Sequence, residues 1–296
     1  MARHVDCLII GGGPAGLTGA IYLARFRRSV LVADGGESRA ALIPKSRNYP
    51  GFADGLSGQA LLTALRRQAR RYDVALKPGL VTDLKIVKRK FHVVLGGARI
   101  SADSVLLATG LTDHPPRIQG LRKAIARTIV KYCPVCDAYE SSDERIAVLG
   151  KVGDVEAKAL FLRSYSKSVT IFATGKNPSA SKTRALQNAG IEVFKPVTMR
   201  VRDGGVEATD AHGQARRVDA IYPMLGCDVH SELATKLGAR SNTIGCLIVD
   251  TDQRTSVPGL YAAGDVVSDL HQISVATGHG AVAATAMHNW LPRNPR

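Results

Sequence analysis

The chain has 296 residues, 45% of them hydrophobic and 22% charged, enough to bury a full core and, at this length, to make two domains. Forty Lys+Arg against 25 Asp+Glu give a net charge of +15, which favours acidic partners, with a merely solvated basic surface as the plainer alternative. The basic residues are spread along the chain without interleaved aromatics, which excludes a nucleic-acid stacking platform, and no apolar run reaches the length of about 18 residues that a membrane span needs.

In chain order, residues 6–10 read as a short apolar strand reached directly from the N-terminus, so no targeting segment is expected and a cytoplasmic location is. A glycine-rich turn at 11–16, a helix over 17–26 and a second strand over 29–33 complete a βαβ unit. A basic amphipathic helix is predicted over 58–72, then a β-rich region over 81–107 with turns near Gly79 and at Gly96-Gly97. The pattern restarts with a strand at 146–149, a turn at 150–153, a helix over 155–162 and a strand at 169–172, followed by a second β region over 192–225. A last strand ends near Gly264-Asp265 and leads into a helix over 273–291, whose His279, His288, Thr277 and Thr285 mark it as packed rather than membrane-spanning.

This order predicts an α/β protein of two Rossmann-like dinucleotide-binding domains, each three-layer ββα, the second inserted into the first. The expected boundaries are 1–115 with 246–296 for the first domain and 116–245 for the second, with junctions at His114-Pro115-Pro116 and at 242–245.

Gly11-Gly12-Gly13-Pro14-Ala15-Gly16 satisfies G-x-G-x-x-G between a strand and a helix, with Asp34 at the end of the next strand. Gly11 permits the tight turn, Gly13 lets the backbone approach a pyrophosphate, and Gly16 lets helix and strand pack closely. The helix N-terminus favours phosphate, and Asp34 is placed to accept from a ribose hydroxyl. The motif alone does not separate FAD from NAD.

The five cysteines are Cys7, Cys133, Cys136, Cys227 and Cys246, an odd and widely spaced set that is no secreted disulfide framework. Cys133-Pro134-Val135-Cys136-Asp137 is a C-x-x-C, a spacing at which two thiols close and reopen a disulfide. The competing reading is half a zinc site, but no second C-x-x-C or paired-His element accompanies it, so no metal is expected. The other three cysteines read as small buried hydrophobes.

Taken together, G-x-G-x-x-G, Asn48-Tyr49-Pro50-Gly51-Phe52, Ala108-Thr109-Gly110, Cys133-x-x-Cys136-Asp137, Gly264-Asp265 and Gln272 in a His-Gln-Ile segment resemble the low molecular weight thioredoxin reductase family over nearly the whole chain. The resemblance implies FAD as cofactor, bound by Gly11, Gly13, Pro14, Ala15, Gly16, Asp34, Gly35, Asn48, Val81, Ala108, Thr109, Gly110, Gly264, Asp265, Gln272 and Ile273. It implies that Cys136 faces the flavin, Cys133 exchanges with a partner, and Asp137 manages the thiol proton, with helix capping as its other reading. It also implies a homodimer and a contact from the last helix to the flavin ring, although His271 stands where the family has Arg.

The second turn departs from the family. Gly150-Lys151-Val152-Gly153-Asp154-Val155 puts Val152 at the close-approach glycine and Val155 at the small packing position, where methyl groups are expected to keep a pyrophosphate away. The strand after it ends Ala173-Thr174-Gly175-Lys176, without the Arg pair that grips a 2′-phosphate. Loss of ordinary NADPH binding is therefore expected, with a shifted and weaker mode as the alternative. Three functions remain open: a thioredoxin reductase-like enzyme with another donor, such as acidic ferredoxin, and a thioredoxin-like or small disulfide partner; a dithiol oxidase using oxygen; or a flavin-binding redox sensor without turnover. The basic residues Arg117, Arg122, Lys123, Arg127 and Lys131 just before the thiols suit an acidic partner or form a solvated connector.

Overall fold

The computed structural model describes residues 3–176, 179–267 and 270–295. Strand β1 (Arg3–Ile10) ends at the glycine-rich turn, and α1 (Pro14–Arg25) opens on Pro14, whose missing N–H is harmless in a first helical turn. Strand β2 (Val30–Asp34) pairs in parallel with β1. Helix α2 (Gly58–Arg71) is capped by Ser57, whose Oγ accepts from Ala60 N, and leads into β3 (Ala75–Pro78). A meander follows of β4 (Leu84–Val87), β5 (Lys90–Leu95) and β6 (Ala98–Leu107), turning at Gly96 and Gly97, both left-handed as a two-residue hairpin demands.

The chain leaves this unit on β7 (Leu111–Asp113) and passes two short helices, α3 (Leu121–Ala126) and α4 (Pro134–Asp137). The second βαβ is β8 (Ile146–Gly150), α5 (Val152–Leu162) and β9 (Val169–Ala173), continued by α6 (Ala180–Asn188) and β10 (Ile191–Phe194). A second meander of β11 (Thr198–Arg202), β12 (Gly205–Thr209) and β13 (Ala215–Val218) leads to β14 (Ala220–Pro223). The chain returns on β15 (Cys227–Val229) and α7 (Glu232–Thr235), then adds β16 (Leu260–Ala262) and α8 (Ile273–Trp290).

Strand β6 explains the first unit. It lies parallel to β1 from Ile100 to Leu107, and it also pairs antiparallel with β5 through its N-terminal half and parallel with β16 through its C-terminal end. The sheet order is β3-β2-β1-β6-β5-β4, with β16 also on β6. A parallel core buried on both faces needs apolar residues at every position. Accordingly Cys7 and Ile9 of β1 pack with α1 and α8, while Leu8 and Ile10 pack with Leu84, Phe91 and Val93 of the meander. The second unit repeats the plan: β10-β9-β8-β14 is all parallel, helix residues Val155 and Leu162 cover one face, and Val206, Ala208 and Val218 of the meander cover the other.

This is the α/β architecture expected, two Rossmann-like units with the second inserted into the first. The two crossings meet, since β7 and β15 pair antiparallel with Cys227 opposite Asp113. On the return, Val229, Ala234 and Ala239 already share a core with Leu8 and Ile10. Both motif helices start three residues earlier than the apolar pattern suggests, at Pro14 and Val152, because the turn residues themselves take up the first helical turn. No helix among the described residues is long and apolar enough to cross a membrane. Helices α1 and α8 cross closely, for a Cβ on Gly280 would lie 2.3 Å from Ala15 O.

Candidate active site

The first turn shows why its residues are glycines. Gly11 is left-handed (φ 118°) and a Cβ there would lie 2.1 Å from Ala108 O; one on Gly16 would lie 2.0 Å from Gly11 O. Gly12, which the motif leaves free, is equally constrained, because its Cβ would meet the Asp34 carboxylate at 2.2 Å. Around Gly13 the nearest group to such an atom is Ser38 Oγ at 3.3 Å, which leaves the turn open toward a ligand. Asp34 accepts from Gly36 N (2.9 Å) and from Arg66 Nη2 (3.1 Å), the latter reaching over from α2.

This turn borders a cavity of about 650 Å³ at the C-terminal ends of β1, β2, β6 and β16, where ligands of open α/β sheets bind. Gly11, Gly13, Pro14 and Ala15 line it from the turn, and Asp34 and Gly35 from the end of β2. Asn48 and Val81 reach it from loops, Ala108, Thr109 and Gly110 from the end of β6, and Gly264 and Asp265 from beyond β16. Gln272 and Ile273 contribute the start of α8, and Cys133, Cys136 and Asp137 come from the inserted segment. Gly16 is the exception among the sequence-derived residues; it is buried in the contact between α1 and β1.

The donor set fits a flavin dinucleotide. The open turn at the N-terminus of α1 suits a pyrophosphate, Asp34 suits a ribose, and the N-terminus of the 18-residue α8 offers a positive dipole end to an electron-rich ring. Among the described residues no group of three or more His, Cys, Asp or Glu is placed to hold a metal.

Cys133 and Cys136 are joined in a disulfide, with Cα atoms 5.3 Å apart. Pro134 fixes the first position of α4, and Cys136 N donates to Cys133 O at 3.0 Å, which closes the turn that brings the sulfurs together. Gln272 Nε2 donates to both sulfurs at 3.2 Å, while Gln272 Oε1 accepts from Asn48 Nδ2 at 2.8 Å.

Asp137 lines the same cavity beside the disulfide. Burial pushes its carboxyl up to about 6, against the pull of Lys131 and of the Tyr222 hydroxyl, which donates to Asp137 Oδ1 at 2.9 Å. Tyr222 comes from the end of β14 and is fully buried, and its phenol is held above its ordinary value mainly by that burial. Lys131, also buried, donates from Nζ to Ser141 Oγ at 2.5 Å.

A second network was not legible in the chain. Arg39 donates to both oxygens of Asp113 (2.6 and 3.1 Å) and to Asp265 Oδ2 (3.4 Å), tying the β2–α2 connection to the crossing strand and to the residue beyond β16. Burial pushes the Asp265 carboxyl up, opposed by Arg39 and His271. No motif announces Arg39, Arg66 or Tyr222, because each acquires its partner only through long-range contact. Cys7 and Cys246 are buried as expected, whereas Cys227 is only half-buried on β15.

In the second unit Gly150 is also closely held: its Cβ would lie 2.5 Å from Val155 Cγ1 and 2.8 Å from Met224 O. Val152 is 4% exposed and packs with Val148, Val155 and Ile171 beneath α5, so its methyls fill the core instead of standing over the turn. Lys176 is exposed at the end of β9, and residues 177–178 lie outside the described residues.

The chain matches the model of the family described as "Pyridine nucleotide-disulphide oxidoreductase" over residues 5–280. It is 29% identical to the thioredoxin reductase of Aquifex aeolicus, with 97% of this chain and 93% of that protein covered. Among solved structures it resembles HlmI at 30% identity (TM-score 0.89, covering 98% of this chain and 94% of that one). It likewise resembles the thioredoxin reductase of Streptococcus pyogenes at 27% identity (TM-score 0.86, covering 98% and 99%). The chain thus belongs to the pyridine nucleotide-disulphide oxidoreductases, and within them it is a thioredoxin reductase-like flavoprotein oxidoreductase acting on sulfur.

Proposed function

We propose that this protein moves electron pairs between FAD and the Cys133/Cys136 couple, and between that couple and a partner disulfide or dithiol, drawing on a donor other than NADPH. The observation that carries the reading is that both sulfurs line the same cavity as the glycine-rich cradle and are held by Gln272 at the start of α8. FAD, when bound, stores and releases the electron pair. Gly11, Gly13, Pro14 and Ala15 hold its pyrophosphate, with Gly16 setting the helix beneath them. Asp34 and Gly35 take the ribose end. Asn48, Val81, Ala108, Thr109, Gly110, Gly264, Asp265, Gln272 and Ile273 line the remainder. Cys136 faces the ring, Cys133 exchanges with the partner, and Asp137 gives and takes the thiol proton.

The donor assignment draws support from the second unit, where Thr174-Gly175-Lys176 offers no guanidinium pair. Arg122, Lys123 and Arg127 are exposed around α3, whose Ile125 lines the cavity, and Val135 and Tyr139 are exposed beside the thiols. This surface suits an acidic thioredoxin-like partner or an acidic donor such as ferredoxin. A homodimer in the cytoplasm belongs to the same reading. So does a division into 1–115 with 246–296 and 116–245, the return junction being better drawn near Cys227 because Val229 and Ala234 pack in the first core.

The same features suit a dithiol oxidase, in which a substrate dithiol loses two electrons and two protons and oxygen becomes hydrogen peroxide. Stopped-flow mixing with NADPH, NADH, reduced ferredoxin and a dithiol decides. Slow flavin bleaching by NADPH is expected beside fast reduction by ferredoxin or dithiol, and rapid bleaching at micromolar NADPH overturns the donor assignment. Fast reoxidation in air with peroxide release marks the oxidase.

A further inference from the structure

The amide of Gln272 reaches both redox sulfurs. Its Nε2 lies 3.2 Å from Cys133 Sγ and 3.2 Å from Cys136 Sγ, and a primary amide has two N–H groups to give. Its Oε1 accepts from Asn48 Nδ2 at 2.8 Å, and Asn48 Oδ1 accepts from Ser46 Oγ at 2.9 Å. Turning both amides over would keep their mutual bond but press Oε1 against two sulfurs, so the sulfurs themselves select the orientation. The loop holding Asn48 is anchored by reciprocal backbone bonds between Ser46 and Leu56, each 2.8 Å.

A disulfide accepts weakly from such a donor, whereas a thiolate accepts a charge-assisted bond. Lys131, a buried cation two residues before Cys133, has its ammonium on Ser141 Oγ. We infer that Gln272 is a catalytic residue of the sulfur chemistry, whose amide stabilises the thiolate released when the Cys133–Cys136 bond opens, and that Asn48 is the positioning residue that aims it.

The step balances with a dithiol as reductant. A thiolate of the dithiol attacks one sulfur, the S–S bond breaks, and the second sulfur leaves with the electron pair toward Gln272 Nε2. The other thiol of the reagent then closes its own disulfide and frees the first sulfur. The dithiol has lost two electrons and two protons; one proton resides on a cysteine sulfur, the other in solvent, and one thiolate remains.

The inference rests on Cys133/Cys136 being the working couple, and not on the donor or partner proposed above. Its test is the pH profile of alkylation. The flavin-loaded protein is reduced with dithiothreitol, desalted without oxygen and treated with iodoacetamide, and the label on each cysteine is followed by mass spectrometry. Gln272→Leu is expected to move the midpoint of the more reactive thiol up by about one pH unit and to slow its alkylation at pH 7 about tenfold, both read on the flavin-loaded fraction of the protein. Asn48→Ala, which touches neither sulfur, is expected to slow it about threefold by freeing the amide to rotate. A Gln272→Leu profile superimposed on the unmodified protein overturns the inference. If that variant does not fold, an unchanged Asn48→Ala profile overturns it instead. Because alkylation reads the thiols alone, a wrong donor assignment leaves this result standing, and a failure here leaves the donor comparison untouched.

Discussion

At the scale of single residues, Asp137 is the group whose environment most directly sets chemistry. A carboxyl near 6 is a competent acid below that pH and a competent base above it, which suits the proton-transfer role proposed for Asp137. The raised value also has a cost. Stability linked to the protonated form is full below the ordinary value of 3.8 and is lost as pH rises through about 6, because the ionised carboxylate is then buried against its preference. Asp137→Asn keeps an acceptor for Tyr222 and removes that charge. It should therefore slow thiol exchange by about 10²–10³-fold at pH 7. It should also melt higher at pH 8, by on the order of 1–3 kcal/mol, with the gain vanishing near pH 4. Thermal melts across pH together with exchange rates check both parts, and a variant that loses activity without any gain in stability would show that Asp137 is not a strained carboxylate.

At the scale of elements, the two glycine turns have the same ancestry of form and different consequences. In the first, Gly11, Gly12 and Gly16 each face an atom within about 2.2 Å of a would-be Cβ, and Gly13 stays open. In the second, Gly150 is held less tightly, its Cβ meeting nothing nearer than 2.5 Å, and Val152 begins α5 with its side chain in the core. Its methyls, expected from the sequence to block a pyrophosphate directly, are instead packed beneath the helix. Gly16→Ala should abolish flavin retention, since the contact at 2.0 Å is with backbone and no rotamer relieves it. The flavin-to-protein absorbance ratio should fall at least about tenfold relative to the unmodified protein, and a yellow Gly16→Ala preparation would show that the helix can shift enough to accommodate the methyl.

At the scale of the whole molecule, function depends on how an inserted unit delivers two cysteines to a cradle built by the other. The delivery runs through the antiparallel pair of β7 and β15, flanked by His114, whose Nε2 lies 3.0 Å from Asp228 Oδ1 and whose imidazole is raised mainly by that contact. Arg39 ties Asp113 of the same pair to Asp265 of the cradle. The net charge of +15 acts at this scale as well. Long-range attraction accelerates encounter with an acidic protein and is screened within about 10 Å at 0.1 M salt. The rate with an acidic thioredoxin-like or ferredoxin-like protein should fall at least about tenfold between 0.02 and 0.5 M salt, as in other steered encounters, while the rate with uncharged dithiothreitol changes less than about twofold. Equal salt sensitivity for both reagents would remove the docking role of the basic surface.

The sequence by itself determined the plan: strands that are apolar at every position, glycines at G-x-G-x-x-G and a C-x-x-C are local signals, because sheet burial, tight turns and disulfide closure depend on neighbours a few residues apart. Gly11, Asp34, Cys133 and Cys136 could be named on that basis, Asp137 through the family resemblance, and they do share one cavity. Only the tertiary structure decided which groups answer one another across the chain. Gln272 meets sulfurs 136 and 139 positions away, Tyr222 meets Asp137 from 85 positions away, and Arg39 bridges Asp113 and Asp265. Such pairings, like the inward turn of Val152, are fixed by how the two sheets and their crossing strands pack, and that information is not carried by any short stretch of the chain.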